Sequence, residues 1–424
     1  MTEVINLQNH SFFTDSSVDR FLRIGSIGFL FLVTSFMIGL PGPVRSLPSL
    51  EIGGALVGPS NIYVFFLGGV AGLYVVWNAI CYNQTQILFP RSMKYILAIC
   101  FAILASSYLN ADFTLGTLTE LFQWVGLALL VALVANFVRS TAEIRLLLGL
   151  LVYVALFKAA FVVANLLIFG VPIYSYGTVV MGMGLLTTLV LLFNNGVTKG
   201  RIAGALFLIF PIAVSNDRKG IVGIVVAILA MRVWWHLSAK KELRVSVLWP
   251  VLGLTVAVGV FFTVLVSPLQ SATFGALEQF LRPFSQPRYH LYQTGLEMFG
   301  ANPLLGVGPE NWHVAKPVYS TPGLSAVEGT KDWGAHSYYL KILAELGLAG
   351  FVPLALLVML PFKQASHYIT QSQLNQDLWA VVFSFCVYFS IYSLVSSISK
   401  PLQVGWFITF GLAGGLARLS RTTD

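Results

Sequence analysis

The chain has 424 residues, of which 57% are hydrophobic and only 10% charged, and its mean hydropathy is +0.80. Soluble domains carry about 25% charged residues, so this composition excludes the soluble, disordered and fibrous classes and points to a protein solvated by lipid. The net charge of +8, from 25 Lys+Arg against 17 Asp+Glu, reads as membrane topology, because basic residues collect in cytoplasmic loops. No nucleic-acid partner is expected.

The first 20 residues are polar and the first apolar run is long enough to stay in the bilayer, so no cleavable signal peptide is expected. A helix needs about 20 mostly apolar residues to cross a membrane. That ruler predicts twelve spans, at 24–40, 61–82, 95–110, 118–138, 146–169, 177–194, 202–216, 220–236, 246–266, 337–362, 378–398 and 403–417. Barrel strands would be shorter and would alternate in polarity. The expected fold class is therefore all-α, an integral membrane protein of about 12 transmembrane helices forming a single polytopic domain over residues 1–424. Cys81, Cys100 and Cys386 all lie in apolar runs and read as small core residues.

With the N-terminus in the cytoplasm, the inside segments hold 15 of the 25 basic residues, among them Arg91, Lys94, Arg139, Arg145, Lys199, Arg201, Lys363 and Arg418. The short outside loops hold only Arg45, Arg218, Lys219 and Lys400. The positive-inside rule thus predicts both termini in the cytoplasm.

Two features break the pattern. Arg218 and Lys219 place adjacent cations in an outer turn, Ser215-Asn216-Asp217-Arg218-Lys219-Gly220. Residues 267–335 form a long outer loop holding 7 of the 18 prolines, and connections of this length inside a compact bundle are usually functional. Within it, Phe274, Leu277, Phe280 and Leu281 recur at helical spacing, predicting an interfacial helix from Ser271 to Arg282. A second helix is predicted from Tyr289 to Phe299, closed by Asn302-Pro303 and the turn Gly306-Val307-Gly308-Pro309.

The chain has no Asp-x-Asp pair, no phosphate-cradling glycine loop ending in Lys-Ser/Thr, and no His-Glu-x-x-His. His290, His313 and His336 recur every 23 residues, a spacing that matches no zinc pattern. No metal or other cofactor is expected, so cationic side chains would have to stabilise an anionic substrate. The candidates are Arg218, Lys219, Arg282 and Arg288; an arginine fork suits phosphate oxygens in particular. The plainer reading is that these residues snorkel toward lipid headgroups, as basic residues at helix ends normally do. His336 opens the tenth span, where a neutral imidazole can take a proton from a sugar hydroxyl or serve only structure. On a continuous helix, Tyr339, Leu340, Leu343, Gly347 and Gly350 share its face, whereas Glu345 lies opposite. Lys341 and Glu345, four apart, are expected to pair. Lys158, in mid-span, is either functional or held by a backbone carbonyl.

The run His336-Ser337-x-x-Leu340-x-x-x-x-Glu345-x-Gly347-x-x-Gly350, with Asn302-Pro303-Leu304-Leu305-Gly306-Val307-Gly308 and the upstream Arg288, resembles the signature of the O-antigen ligase and polymerase superfamily. The likeness covers roughly spans seven to ten. It departs at Asp217, where the family often has Ser before the arginine. The resemblance implies an inner-membrane glycosyltransferase of the GT-C type acting at the periplasmic face. Its implied partners are a glycan carried on undecaprenyl pyrophosphate, the lipid A-core oligosaccharide that accepts it, and the surrounding membrane lipids. On this implied scheme His336 is the base, Arg218 and Arg288 hold the pyrophosphate, and Lys219, Arg282 and Tyr339 are secondary candidates. The reaction is a single inverting displacement without a metal ion. Ligase is preferred over polymerase because the one large outer loop lies late, directly before the His-bearing span, and the 170–176 connection is short. A protein-glycosylating ligase is a further alternative. A twelve-span transporter is the alternative from another class, disfavoured because repeat symmetry and several midplane charges would be expected.

Overall fold

In lipid each backbone N–H and C=O must find a partner within its own segment or a close neighbour, so long apolar runs become helices. The computed structural model describes residues 50–52, 55–57, 89–110, 115–169, 178–194, 196–214, 217–239, 286–320, 334–371, 375–396 and 400–422. Expected spans 24–40, 61–82 and 246–266 and the interfacial helix from Ser271 to Arg282 lie outside these residues. The remaining nine expected spans each coincide with a helix. These are α1 (Ser92–Leu109), α2 (Leu115–Phe137), α3 (Thr141–Phe169), α4 (Thr178–Asn194), α5 (Lys199–Val214), α6 (Arg218–Ala239), α9 (Tyr338–Gln371), α10 (Gln376–Val395) and α11 (Lys400–Thr422). Two helices lie between α6 and α9. They are α7 (Gln286–Ala301), which is the helix read at 289–299, and α8 (Trp312–Tyr319). One antiparallel hairpin, Leu50–Ile52 with Ala55–Val57, is the exception to the helical content of the described residues.

Five of these helices are long and apolar enough to cross a membrane: α1, α2, α3, α9 and α10. The apolar stretch Thr178–Phe193 of α4 is shorter. The span expected at 337–362 needs correction. Gly347 has φ 58° and ψ −155°, so α9 is two helices joined at a break, with His336 outside the first of them. The face inferred for His336 on a continuous helix therefore does not exist.

Without a hydrophobic drive between helices in lipid, close packing of small residues holds a bundle together. Helix α10 packs against α4, α6, α9 and α11. The Tyr388 ring of α10 lies against Gly182 of α4 and Gly223 of α6, where a Cβ would stand 3.2 and 3.0 Å from it. Trp406 of α11 gathers Tyr338, Tyr339, Phe389 and Phe410 at ring-centroid distances of 5.6–6.3 Å. Cys100 and Cys386 are buried free thiols, as expected of small core residues.

The helices run between two chemically different ends. At one end Arg145 pairs with Asp377, Arg418 donates to the Val138 carbonyl, and Tyr368 donates to the Ala417 carbonyl at 3.2 Å. Arg91, Lys94 and Lys363 belong to the same end. At the other end the close of α1 and of α10 meets the starts of α6 and α9.

Candidate functional site

The break in α9 leaves carbonyls and amides without helical partners, and the turn Asn302–Gly308 supplies them. Val307 and Gly308 N–H donate to the Ala344 and Glu345 carbonyls at 2.9 and 3.0 Å. Beyond the break, Leu348 and Ala349 N–H donate to the Pro303 and Leu304 carbonyls at 2.9 and 3.0 Å. Ser106 and Asn110, at the end of α1, donate to the Leu305 and Gly306 carbonyls at 2.6 and 3.3 Å. A Cβ on Gly347 would stand 2.5 Å from the Leu304 carbonyl carbon, and one on Gly306 would stand 2.5 Å from the Ala344 oxygen. Both glycines have positive φ. The two glycine motifs that are separate in sequence are thus one backbone interlock.

Glu345 completes it. Its carboxylate accepts the Trp312 and Glu310 amides at 3.1 and 3.2 Å, which caps the start of α8. Lys341 Nζ lies 3.6 Å from Glu345 and 3.1 Å from Glu310. The expected Lys341–Glu345 pair is therefore present, as part of a triad. Beneath it a small apolar cluster of Leu291, Met298, Trp312, Ala335 and Ala344 holds α7, α8 and α9 together.

At the start of α9, His336 adopts a left-handed conformation with φ 51°, uncommon for a residue other than glycine, though His is among the types enriched there. The next residue caps the helix, with Leu340 N–H donating to Ser337 Oγ at 3.3 Å. Tyr338 N–H donates to the Ser396 carbonyl at 3.1 Å, and Lys219 Nζ donates to Ser396 Oγ at 2.9 Å. Ser396 therefore ties the end of α10 to the starts of both α6 and α9. Lys219 also sits 5.7 Å over the Tyr392 ring.

Asp217 caps α6. It accepts the Gly220 amide at 3.3 Å, the Tyr392 hydroxyl at 3.4 Å and the Thr178 hydroxyl. Burial pushes its carboxyl above the usual range, opposed by these hydrogen bonds and by the charge of Lys219. Asp217 thus gives the turn a capping side chain, and Arg218 opens the helix behind it.

Helices α7 and α9 run in the same direction. Gly295 faces Leu340, where a Cβ would stand 2.8 Å from Leu340 Cγ, and the turn after α7 faces Ala344 to Ala349. Arg288 precedes Gly295 by about two helical turns, roughly 10 Å. Its backbone therefore belongs at the level of His336, before α9 begins. The starts of α6, α7 and α9, carrying Arg218, Arg288 and His336, converge on one end of the bundle.

The other expected residues fall elsewhere or in other roles. Tyr339 packs edge-on against Trp406 at 6.3 Å. Lys219 is engaged by Ser396 and Tyr392. Arg282 lies outside the described residues. Lys158 is buried in α3, its ammonium 5.7 Å from the Phe161 ring. His290 lies on α7 and His313 on α8, and among the described residues no three His, Cys, Asp or Glu side chains cluster as metal ligands. Sequence reasoning missed Ser396, Ser106 and Asn110. Each is a polar residue at the very end of an apolar run, where a partner across the bundle is the natural expectation.

Five helices long and apolar enough to cross a membrane are consistent with a membrane protein. Residues 203–355 match the model of a family described as O-antigen ligase. The match runs from α5 to just beyond the α9 break and includes Arg218, Arg288, the 302–308 turn and His336. No curated protein matches the chain.

Proposed function

We propose that the protein is an O-antigen ligase of the GT-C type. It transfers a glycan from undecaprenyl pyrophosphate to the lipid A-core oligosaccharide at the periplasmic face of the bacterial inner membrane. The chain spans the membrane about twelve times with both termini in the cytoplasm, and residues 267–335 form a periplasmic loop. The observation carrying this reading is the convergence of the starts of α6, α7 and α9 within the region matched by the family.

In the proposed reaction His336 accepts the proton of the acceptor hydroxyl as that oxygen bonds to the anomeric carbon. The bond from that carbon to the pyrophosphate oxygen breaks on the opposite face, so configuration inverts. Arg218 and Arg288 grip the departing diphosphate and stabilise its growing charge, the task a divalent ion performs in other transferases.

The deciding experiment is transfer in vitro by purified protein, supplied with a carrier-linked glycan, rough lipopolysaccharide and a chelator. Glycan on lipid A-core in the presence of chelator is expected. Extension of a second carrier-linked glycan instead would make the enzyme a polymerase, and glycan on an offered acceptor protein would make it a protein ligase. Substrate uptake into liposomes without transfer would favour a transporter. Activity abolished by the chelator and restored by a divalent ion would overturn the metal-independent scheme.

A further inference from the structure

The end of the bundle opposite the candidate site carries a cavity that the proposed transfer does not use. Helices α1 and α9 run antiparallel. Ser106 meets Leu305 and Glu345 at one end of α1, and roughly 22 Å away along that helix, at 1.5 Å per residue, Arg91 faces the second half of α9. Between them lies a cavity of about 470 Å³, lined by Arg91, Lys94, Lys363, His367, Gln364 and Tyr368 among others. Among the described residues, no acidic side chain lines it. Among the described residues, no ion pair is recorded for Arg91, Lys94 or Lys363.

Tyr368, which lines this cavity, is held from two sides. Tyr368 is stacked on Trp379 of α10 at 5.1 Å, and its hydroxyl is fixed to the Ala417 carbonyl of α11. Lys94 rests over the Tyr95 ring at 4.8 Å, and both line the cavity. Apolar side chains flank the cavity in sequence on both helices: Phe89 and Leu97 on the α1 side, Leu356 and Met359 on the α9 side. All four are well exposed.

Three cations with no carboxylate beside them among the described residues make an anion receptor. A cavity of this size falls in the range of small-molecule sites, and exposed apolar side chains beside it suit acyl chains rather than water. We infer that this cavity binds the phosphate headgroup of an anionic phospholipid, its acyl chains lying along the exposed apolar faces of α1 and α9. Basic pockets between membrane helices hold lipid phosphates by the same chemistry, and each nearby Lys or Arg contributes appreciably to the attraction. Cations that merely snorkel at scattered helix ends would show no preference for one place on the bundle. This inference does not depend on the proposed transfer reaction.

The test is native mass spectrometry of the detergent-purified full chain with added cardiolipin, phosphatidylglycerol, phosphatidylethanolamine or inorganic phosphate. The wild type should retain the two anionic lipids in preference to the zwitterionic one. The pair Arg91→Gln with Lys363→Gln should weaken that retention by about tenfold or more. The control pair Lys199→Gln with Arg201→Gln, which removes two cations from a helix start outside the cavity, should leave it unchanged. Thermal unfolding guards against misfolding of the variant: anionic lipid should raise the melting temperature of the wild type and not that of the cavity variant. Equal retention of zwitterionic lipid, equal loss in both variant pairs, or capture of inorganic phosphate without lipid would each overturn the assignment.

Discussion

His336 combines a left-handed backbone with an ionisable side chain at the mouth of the bundle. Left-handed φ costs a non-glycine residue about 1–2 kcal/mol, and strain of this kind concentrates at functional positions. Backbone and imidazole can be separated experimentally. His336→Gly relieves the strain and should fold at least as well as the wild type, whereas His336→Ala keeps the strain. If the imidazole is the base, both variants should lose transfer by roughly 10²–10⁴-fold, measured as initial rates with purified protein. Substantial activity in the glycine variant would assign the histidine to chain geometry alone.

Asp217 shows a residue-scale effect of a different kind. Its folded-state pKa is raised by burial, so its contribution to stability is fully present below the unfolded value of about 3.9 and is lost as pH rises through the higher folded value. Asp217→Asn keeps a side-chain cap without the charge. The melting temperature of the wild type relative to Asp217→Asn should therefore fall as pH climbs from about 4. A difference independent of pH would mean that the buried carboxyl does not titrate on folding.

At the scale of elements, the broken helix is the feature on which the site depends. Gly347 combines φ 58° with ψ −155°, a region essentially confined to glycine, and its missing side chain makes room for Leu304. Gly347→Ala should destabilise the bundle by about 3 kcal/mol from backbone strain and overlap together. It should also release the end of α7, so transfer falls even in protein that still purifies; thermal unfolding and activity measured together check both. An alanine variant with wild-type stability would mean that α9 straightens at little cost. This break also marks where the sequence was opaque. Apolar length alone located nine helices, five of them long and apolar enough to cross a bilayer. The apolar run, however, continues unbroken through Leu346-Gly347-Leu348, and nothing local announces that Pro303 and Leu304, some 40 residues earlier, satisfy its open amides. The glycines at 306 and 347 were legible as a motif. Their meeting was not, because it is a long-range contact between two backbones. That the starts of α6, α7 and α9 share one end of the bundle was likewise not visible in the sequence, which offered only a list of polar residues on one expected side.

Across the whole molecule, the two ends differ in how charge is held. At the α3–α10–α11 end, cations pair with Asp377 and a backbone carbonyl and surround the basic cavity. At the other end, carboxylates are buried in capping roles at Asp217 and Glu345, and Lys219 and Lys341 are tied to partners. Among the described residues charge is therefore held differently at the two ends, and we propose on the positive-inside rule that the Lys363 end is cytoplasmic. Single cysteines introduced into a chain whose own three are replaced would test this directly. Val318 of α8 and Lys363 of α9 are both exposed and lie at opposite ends. In intact spheroplasts a membrane-impermeant thiol reagent should label Val318→Cys and leave Lys363→Cys untouched until the membrane is permeabilised. The reverse pattern would put the His336 end in the cytoplasm, on the wrong side for a periplasmic acceptor. Labelling of both sites in intact cells would mean that α9 does not cross the membrane at all, and the orientation argued from charge would fail with it.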